Sequence, residues 1–216
     1  MIGLGRGVPM SLLFAATYPR RAPAFVGFGS FARWFWATDY PWGKTEEQDR
    51  ALNESFRGIF GSREEALEAV RGFGKLEDEE LRQLAVYFRH SATPGAAEAL
   101  HAVIREIDVR HVLPAIQAPT LLVHGAECEL YPIGAARYMV EQIPGARLLE
   151  FPAERCLPAG AALDRAMDEI ERFLNEVWEA GGWEEPEPDR VLATVLFTDI
   201  VGSSEHAAEL GDRAWH

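Results

Sequence analysis

Between Thr120 and Trp178 the chain changes its hydrophobic period three times, and that alternation restricts the fold more than any other feature. Thr120–His124 (TLLVH) is a short continuous apolar run, too short for a helix, and reads as a buried strand. Ile133–Ile143 has helical spacing and stops before Pro144-Gly145. Arg147–Phe151 reads as a second strand, and Ala161–Trp178 as a long amphipathic helix. Strands separated by helices cannot pair through tight hairpins. They form a parallel sheet with right-handed crossovers and helices on its faces.

The N-terminal part fits the same scheme. Met1–Leu4 is a short apolar piece, followed by the turn Gly3-Leu4-Gly5-Arg6-Gly7, Pro9, and a helix over Met10–Tyr18 with Ala15 and Ala16 for close packing. Ala24–Phe28 reads as a buried strand. Residues 28–42 concentrate Phe28, Phe31, Trp34, Phe35, Trp36, Tyr40 and Trp42, which suits a packed core or lid segment, or a pocket wall. Helices are then expected over Glu46–Phe60, from Ser62 to about Val70 (Ser62 and Glu65 have capping-box spacing), over Asp78–His90, and over Gly95–Ile107 behind Thr93-Pro94. Successive helices without a strand predict a helical cap over one end of the sheet, at about residues 45–107.

The formal net charge is −13 over 216 residues. Residues 46–80 hold 11 acidic and 5 basic side chains and residues 165–190 hold 9 acidic and 3 basic, so two solvated helical faces and an acidic linker carry almost all of the excess. This balance argues against a general grip on nucleic acid or an anionic membrane. No apolar run approaches the roughly 18 residues of a membrane span, and MIGLGRGVPM lacks the pattern of a signal peptide. Two cysteines, Cys128 and Cys156, are too few for a disulfide scaffold, so a cytoplasmic protein is expected. The histidines show no metal-site spacing; His90, His101, His111 and His206 are scattered, and His124 ends a strand.

Ala180–Asp189 (AGGWEEPEPD) has the composition of a linker. Val191–Thr198 then reads as a strand, Asp199–Ser204 as a turn and Glu205 onward as a helix. The expected division is 1–179, a linker at 180–190, and the opening of a further domain at 191–216.

The spacing G-x-G-x-G between a strand and a helix does not match the G-x-G-x-x-G of a dinucleotide loop. It suits a tight strand–turn–helix that exposes one residue at its apex. With Ile107-Asp108-Val109-Arg110, Leu113-Pro114-Ala115-Ile116, Ala118-Pro119-Thr120-Leu121-Leu122-Val123-His124 and Ile143-Pro144-Gly145-Ala146-Arg147, it resembles the α/β-hydrolase family over roughly residues 2–178. More narrowly, the chain looks like the hydrolase-like domains that precede class III nucleotide cyclases. The resemblance implies an α/β-hydrolase-like parallel sheet with a helical cap, without the family's N-terminal strands and with its oxyanion-hole loop falling before Met1.

Carried over position by position, the family's triad is absent. The nucleophilic serine falls on Gly5, the acid on Cys128 and the histidine on Cys156. Glycine has no attacking atom, and no imidazole stands in as base. Glu127 or Glu129 would offer a replacement acid, with nothing to activate, and Ser11 falls on the following helix. In the family the acid and histidine loops meet. Cys128 and Cys156 are therefore either two separate buried thiols or, with Cα atoms within about 7 Å, a disulfide or redox pair.

Val191–Ser204 (VLATVLFTDIVGSS) resembles the first strand and metal turn of class III adenylate or guanylate cyclases. An aspartate at a strand end before a helix suits a divalent cation, with turn amides facing phosphates. The resemblance implies that Asp199 and the Ile200 carbonyl hold Mg²⁺ or Mn²⁺, that Gly202, Ser203 and Ser204 line the triphosphate of ATP or GTP, and that the cyclase part forms a homodimer. The expected function is that of a fragment of a cyclic-nucleotide signalling protein whose degenerate hydrolase-like domain acts as a sensor or scaffold, with a small apolar ligand near the aromatic segment and no cofactor of its own. The alternatives are an α/β-hydrolase with a non-standard nucleophile such as Cys128 or Cys156, and a non-catalytic interaction protein.

Overall fold

A computed structural model of the chain describes residues 1–71, 78–153, 157–158 and 160–181. The chain divides after residue 185, and the second unit, 186–216, lies outside the described residues. The strand expected at 191–198 and the sites assigned to Asp199, Ile200, Gly202, Ser203 and Ser204 fall there.

The first unit is built on a four-stranded, all-parallel sheet. Its strands are β1 (Ile2–Leu4), β2 (Phe25–Phe28), β3 (Thr120–Gly125) and β4 (Arg147–Phe151), and their order in space is their order in the chain. Helix α1 (Val8–Thr17) crosses from β1 to β2, α6 (Ile133–Gln142) from β3 to β4, and α7 (Ala161–Glu179) follows β4. The cap consists of α2 (Glu46–Ile59), α3 (Arg63–Arg71), α4 (Asp78–Ser91) and α5 (Pro94–Arg105), all inserted between β2 and β3.

The strands read as continuous apolar runs because both faces are covered. Every residue of β2 and β3 is buried. Side chains alternate between faces with the period of two. Leu121 and Val123 join Val26, Phe28 and the α7 residues Ala166, Ile170, Phe173 and Val177 in one apolar layer. Leu122 joins Phe25, the α1 residues Val8, Leu12 and Ala15, and the α6 residues Ala135, Ala136 and Met139 in the other. Burying one Leu, Val or Phe side chain contributes about 1.5–3 kcal/mol, so these two layers hold the unit together. β1 lies at one edge, where Ile2 and Leu4 are 65% and 56% exposed.

The cap has a smaller core of its own, Ala66, Leu81 and Ala85, with Leu67, Leu84 and Phe88 packed against it. Its helix starts are set locally. In α2, Thr45 Oγ1 accepts from the Gln48 amide at 3.2 Å while Gln48 Oε1 accepts from the Thr45 amide at 2.9 Å. Ser62 and Glu65 repeat this box at 3.2 and 2.7 Å, and Thr93 caps α5 through the Ala96 amide. The Ser62 hydrogen bonds hold the Glu65 carboxyl below its usual range.

Candidate functional site

The turn after β1 is the best-defined feature at the carboxyl ends of the strands, where open α/β sheets place their sites. The chain leaves β1 at Leu4, passes through a single turn at Gly5–Gly7 and enters α1 with Pro9 in its first turn. Gly5 has φ +48°, in the left-handed region that glycine occupies without the penalty of a Cβ. A Cβ built on Gly5 would lie 3.1 Å from the Tyr131 hydroxyl oxygen. The apex of the turn therefore carries no side chain, and a phenol fills the space above it.

Tyr131 comes from the loop after β3, the loop in which the triad acid was expected. The amide of Ala126 donates to the Phe151 carbonyl at 2.9 Å and that of Glu127 to the Ala153 carbonyl at 3.1 Å, tying this loop to the chain leaving β4. Cys128 is buried and its Sγ accepts from the Tyr131 amide at 3.5 Å. Cys128 is held in a disulfide, which removes it as a nucleophile in this state. Cys156 lies outside the described residues. Glu127 and Glu129 are exposed, so neither replaces a buried acid at the turn. Ser11 is half-buried in the first turns of α1, with its Oγ 3.1 Å from a Cβ built on Gly3.

The aromatic segment forms the wall between turn and cap. Phe31, Trp34 and Tyr40 are buried; Phe31 stacks on Tyr131 at 5.2 Å between centroids, and Trp34 meets Phe31 edge-on at 5.5 Å. The Tyr40 hydroxyl accepts from the Ala32 amide at 3.0 Å, and burial pushes its pKa up to about 12. Trp42 lies across Gly134, where a side chain on α6 would not fit. Trp36 alone among these large rings is exposed.

Where this wall meets the cap, a polar cluster is buried that the sequence reading did not anticipate. Asp49 of α2 is 3% exposed. Its Oδ1 accepts from Trp34 Nε1 at 2.6 Å, and its Oδ2 pairs with Arg105 Nε of α5 at 3.1 Å. His101 Nε2, one turn earlier on α5, lies 3.1 Å from Asp49 Oδ1 but outside hydrogen-bond geometry. Burial lowers the His101 pKa; Asp49 opposes the shift, and Arg6 and Arg105 reinforce it. The signal available in the sequence was the spacing of His101 and Arg105, one turn apart on a single helix.

Arg6 follows Gly5 and points into this region. Its guanidinium lies 4.0 Å from the Phe56 ring centroid and 5.3 Å from that of Trp34. Desolvation lowers its pKa, against the attraction of Tyr131 and Asp49. Tyr131 is raised by its own burial, with Arg6 opposing. Two further polar groups are buried at the strand ends. Ser30 Oγ and His124 Nε2 have no hydrogen-bond partner, while His124 Nδ1 faces the Gly125 carbonyl at 3.0 Å.

The Ile107–Arg110 string has a structural part. Asp108 receives Arg110 Nε and Nη2 at 2.8 Å each and Arg33 Nη1 at 3.1 Å, while Arg110 Nη1 reaches Asp39 at 2.7 Å. These bonds hold the Asp108 carboxyl below its usual range and clamp the aromatic segment to the chain leading into β3.

Among the described residues no group of three or more His, Cys, Asp or Glu side chains is placed to hold a metal ion, and no helix is long and apolar enough to cross a membrane.

A strand–turn–helix with a left-handed apex, set in a parallel sheet and covered by helices inserted after the next strand, is the arrangement of an α/β-hydrolase fold, and the comparisons agree. An esterase from Exiguobacterium antarcticum superposes with a TM-score of 0.64 at 23% identity, over 82% of this chain and 65% of that one. A bromoperoxidase from Bacillus anthracis also gives 0.64, at 19% identity over 82% of this chain and 66% of that one. In sequence, the pimeloyl-(acyl-carrier protein) methyl ester esterase of Chromobacterium violaceum is 27% identical over 154 residues, 70% of this chain and 60% of the relative. Its counterpart in Nitrosomonas europaea is 25% identical over 156 residues, 69% of this chain and 61% of the relative. No family model matches the chain. The protein has an α/β-hydrolase fold homologous to esterases, and it spans about three-fifths of the length of the curated relatives it matches. None of these comparisons shows a cyclase domain.

Proposed function

We propose that this protein is a non-hydrolytic member of the esterase-like α/β-hydrolases, one that binds a small acyl compound beneath its cap instead of cleaving it. The observation that carries the reading is Gly5. The turn that presents an attacking oxygen in this fold is present, but its apex has φ +48°, no side chain, and the Tyr131 hydroxyl above it. The relatives named as methyl ester esterases support an acyl compound as the ligand class. The test is turnover of p-nitrophenyl acetate, butyrate and hexanoate. The expected result is a rate equal to that of a control protein; saturable turnover would overturn the reading.

The same relatives favour a second reading, ester hydrolysis with a non-standard nucleophile. Cys128 supplies one only after reduction. Turnover that appears with a reductant and disappears in Cys128→Ser would support it.

The cyclase resemblance remains a proposal for residues 191–216 alone, supported by the string around Asp199. Source DNA that continues past His216 to a second metal-holding aspartate would support it, and a stop codon immediately after His216 would contradict it.

A further inference from the structure

Arg6 buries a charge that the protein only partly satisfies. Guanidinium stays ionised in proteins and carries five N–H donors. Its Nε and Nη2 atoms are sealed from solvent and have no hydrogen-bond partner. These two nitrogens make up one edge of the fork, the edge that takes both oxygens of a carboxylate side by side. The face of the group is already occupied by Phe56 at 4.0 Å and Trp34 at 5.3 Å. Asp49, the carboxylate whose attraction Arg6 feels, is committed to Trp34 and Arg105, with His101 against it. Burial keeps His101 toward its neutral form. Arg105 is held by two carboxylates, Asp49 and Glu46, the latter at 2.9 Å, whereas among the described residues Arg6 is paired with none. A buried guanidinium edge without a partner calls for an anion.

We infer that the Nε–Nη2 edge of Arg6 anchors a carboxylate-binding site between the turn and the cap. Its ligand is a small monocarboxylic acid whose apolar part lies on Phe56, Trp34 and the Phe31–Tyr131 stack. The inference rests on the non-hydrolytic reading, because an uncleaved acid is held where an ester would otherwise react.

The test is thermal denaturation of the full chain with sodium hexanoate or phenylacetate, beside hexanamide and phenylacetamide, with sodium chloride and acetate at matched ionic strength. The expected result is a midpoint that climbs with the concentration of the two apolar acids and stays unmoved by their amides. Arg6→Gln should weaken the effect at least about tenfold, the loss of a charge-assisted hydrogen bond. Should that variant fail to fold, the contrast between acid and amide in the unaltered protein still decides.

Equal stabilisation by the amides, or full stabilisation of Arg6→Gln, would overturn the site, as would no stabilisation by either acid. Chloride or acetate acting as strongly as hexanoate would reduce it to a general anion contact with no demand for an apolar part and overturn the ligand class. Ester turnover alongside intact acid binding would strike the non-hydrolytic reading alone. Absent turnover without acid binding would strike this site alone.

Discussion

The two sides of the turn after β1 are built from different materials. On the sheet side everything is apolar and set by backbone geometry: β2 and β3 are wholly buried, and their side chains sort into two layers by simple alternation. On the cap side, Arg6, Asp49, His101 and Arg105 meet among Trp34, Phe56 and Tyr131. The sheet side carries the fold shared with esterases. The cap side carries the charges, and there the apex of the turn, Gly5, has no side chain.

This contrast predicts a ranked series of effects. Leu122→Ala, in a fully buried strand position, should cost about 2–5 kcal/mol, while Leu81→Ala in the small cap core should cost about 2 kcal/mol, the low end of the same range. Urea unfolding measures both, and equal losses would erase the distinction between sheet and cap. Asp49→Ala leaves the buried Trp34 N–H without its acceptor and removes one of the two carboxylates on Arg105, and should cost about 1–3 kcal/mol. A loss below about 0.5 kcal/mol would mean that the seam does not hold the cap.

Gly5→Ser should destabilise by about 1–2 kcal/mol, because it forces a side chain into a left-handed position against Tyr131. It should also fail to create esterase activity, since the described residues place no base beside it. Thr45→Ala, which removes only a cap, should cost about 1 kcal/mol.

The pH response separates the two sides further. Burial lowers the pKa of both His101 at the seam and His124 at the end of β3. The folded state then binds fewer protons than the unfolded chain, so their contribution is complete above the unfolded value of about 6.5 and is lost as the pH falls below it. The urea midpoint should drop between pH 7.5 and pH 5.5, and less so in His101→Gln. An unchanged midpoint would contradict the burial of these rings in neutral form.

The sheet was legible in the sequence because strand and helix periods alternate cleanly, and its elements lie within one or two residues of the expected positions. The β3 strand expected at Thr120–His124 ends one residue later, at Gly125, and the helix expected from Met10 begins at Val8 because the turn is tighter than its glycines alone imply. The turn itself was legible from G-x-G-x-G. The polar seam was not. Asp49 sits in an acidic stretch that reads as a solvated face, and only the packing of α2 on α5 and the aromatic wall turns it inward. Arg6 read as a turn residue because pattern alone does not show which rings a long side chain will cross. The part taken by Tyr131 was hidden for the same reason: it follows from the path of a loop, not from a periodicity.

The most direct test of the central claim, that the hydrolase turn survives here without an attacking group, is the intact mass of the protein after incubation with a fluorophosphonate. That reagent marks any activated serine whatever its preferred substrate. The structure predicts no adduct, with or without reductant. A single stoichiometric adduct on Ser11 or Ser30 would contradict it and return the protein to the esterases.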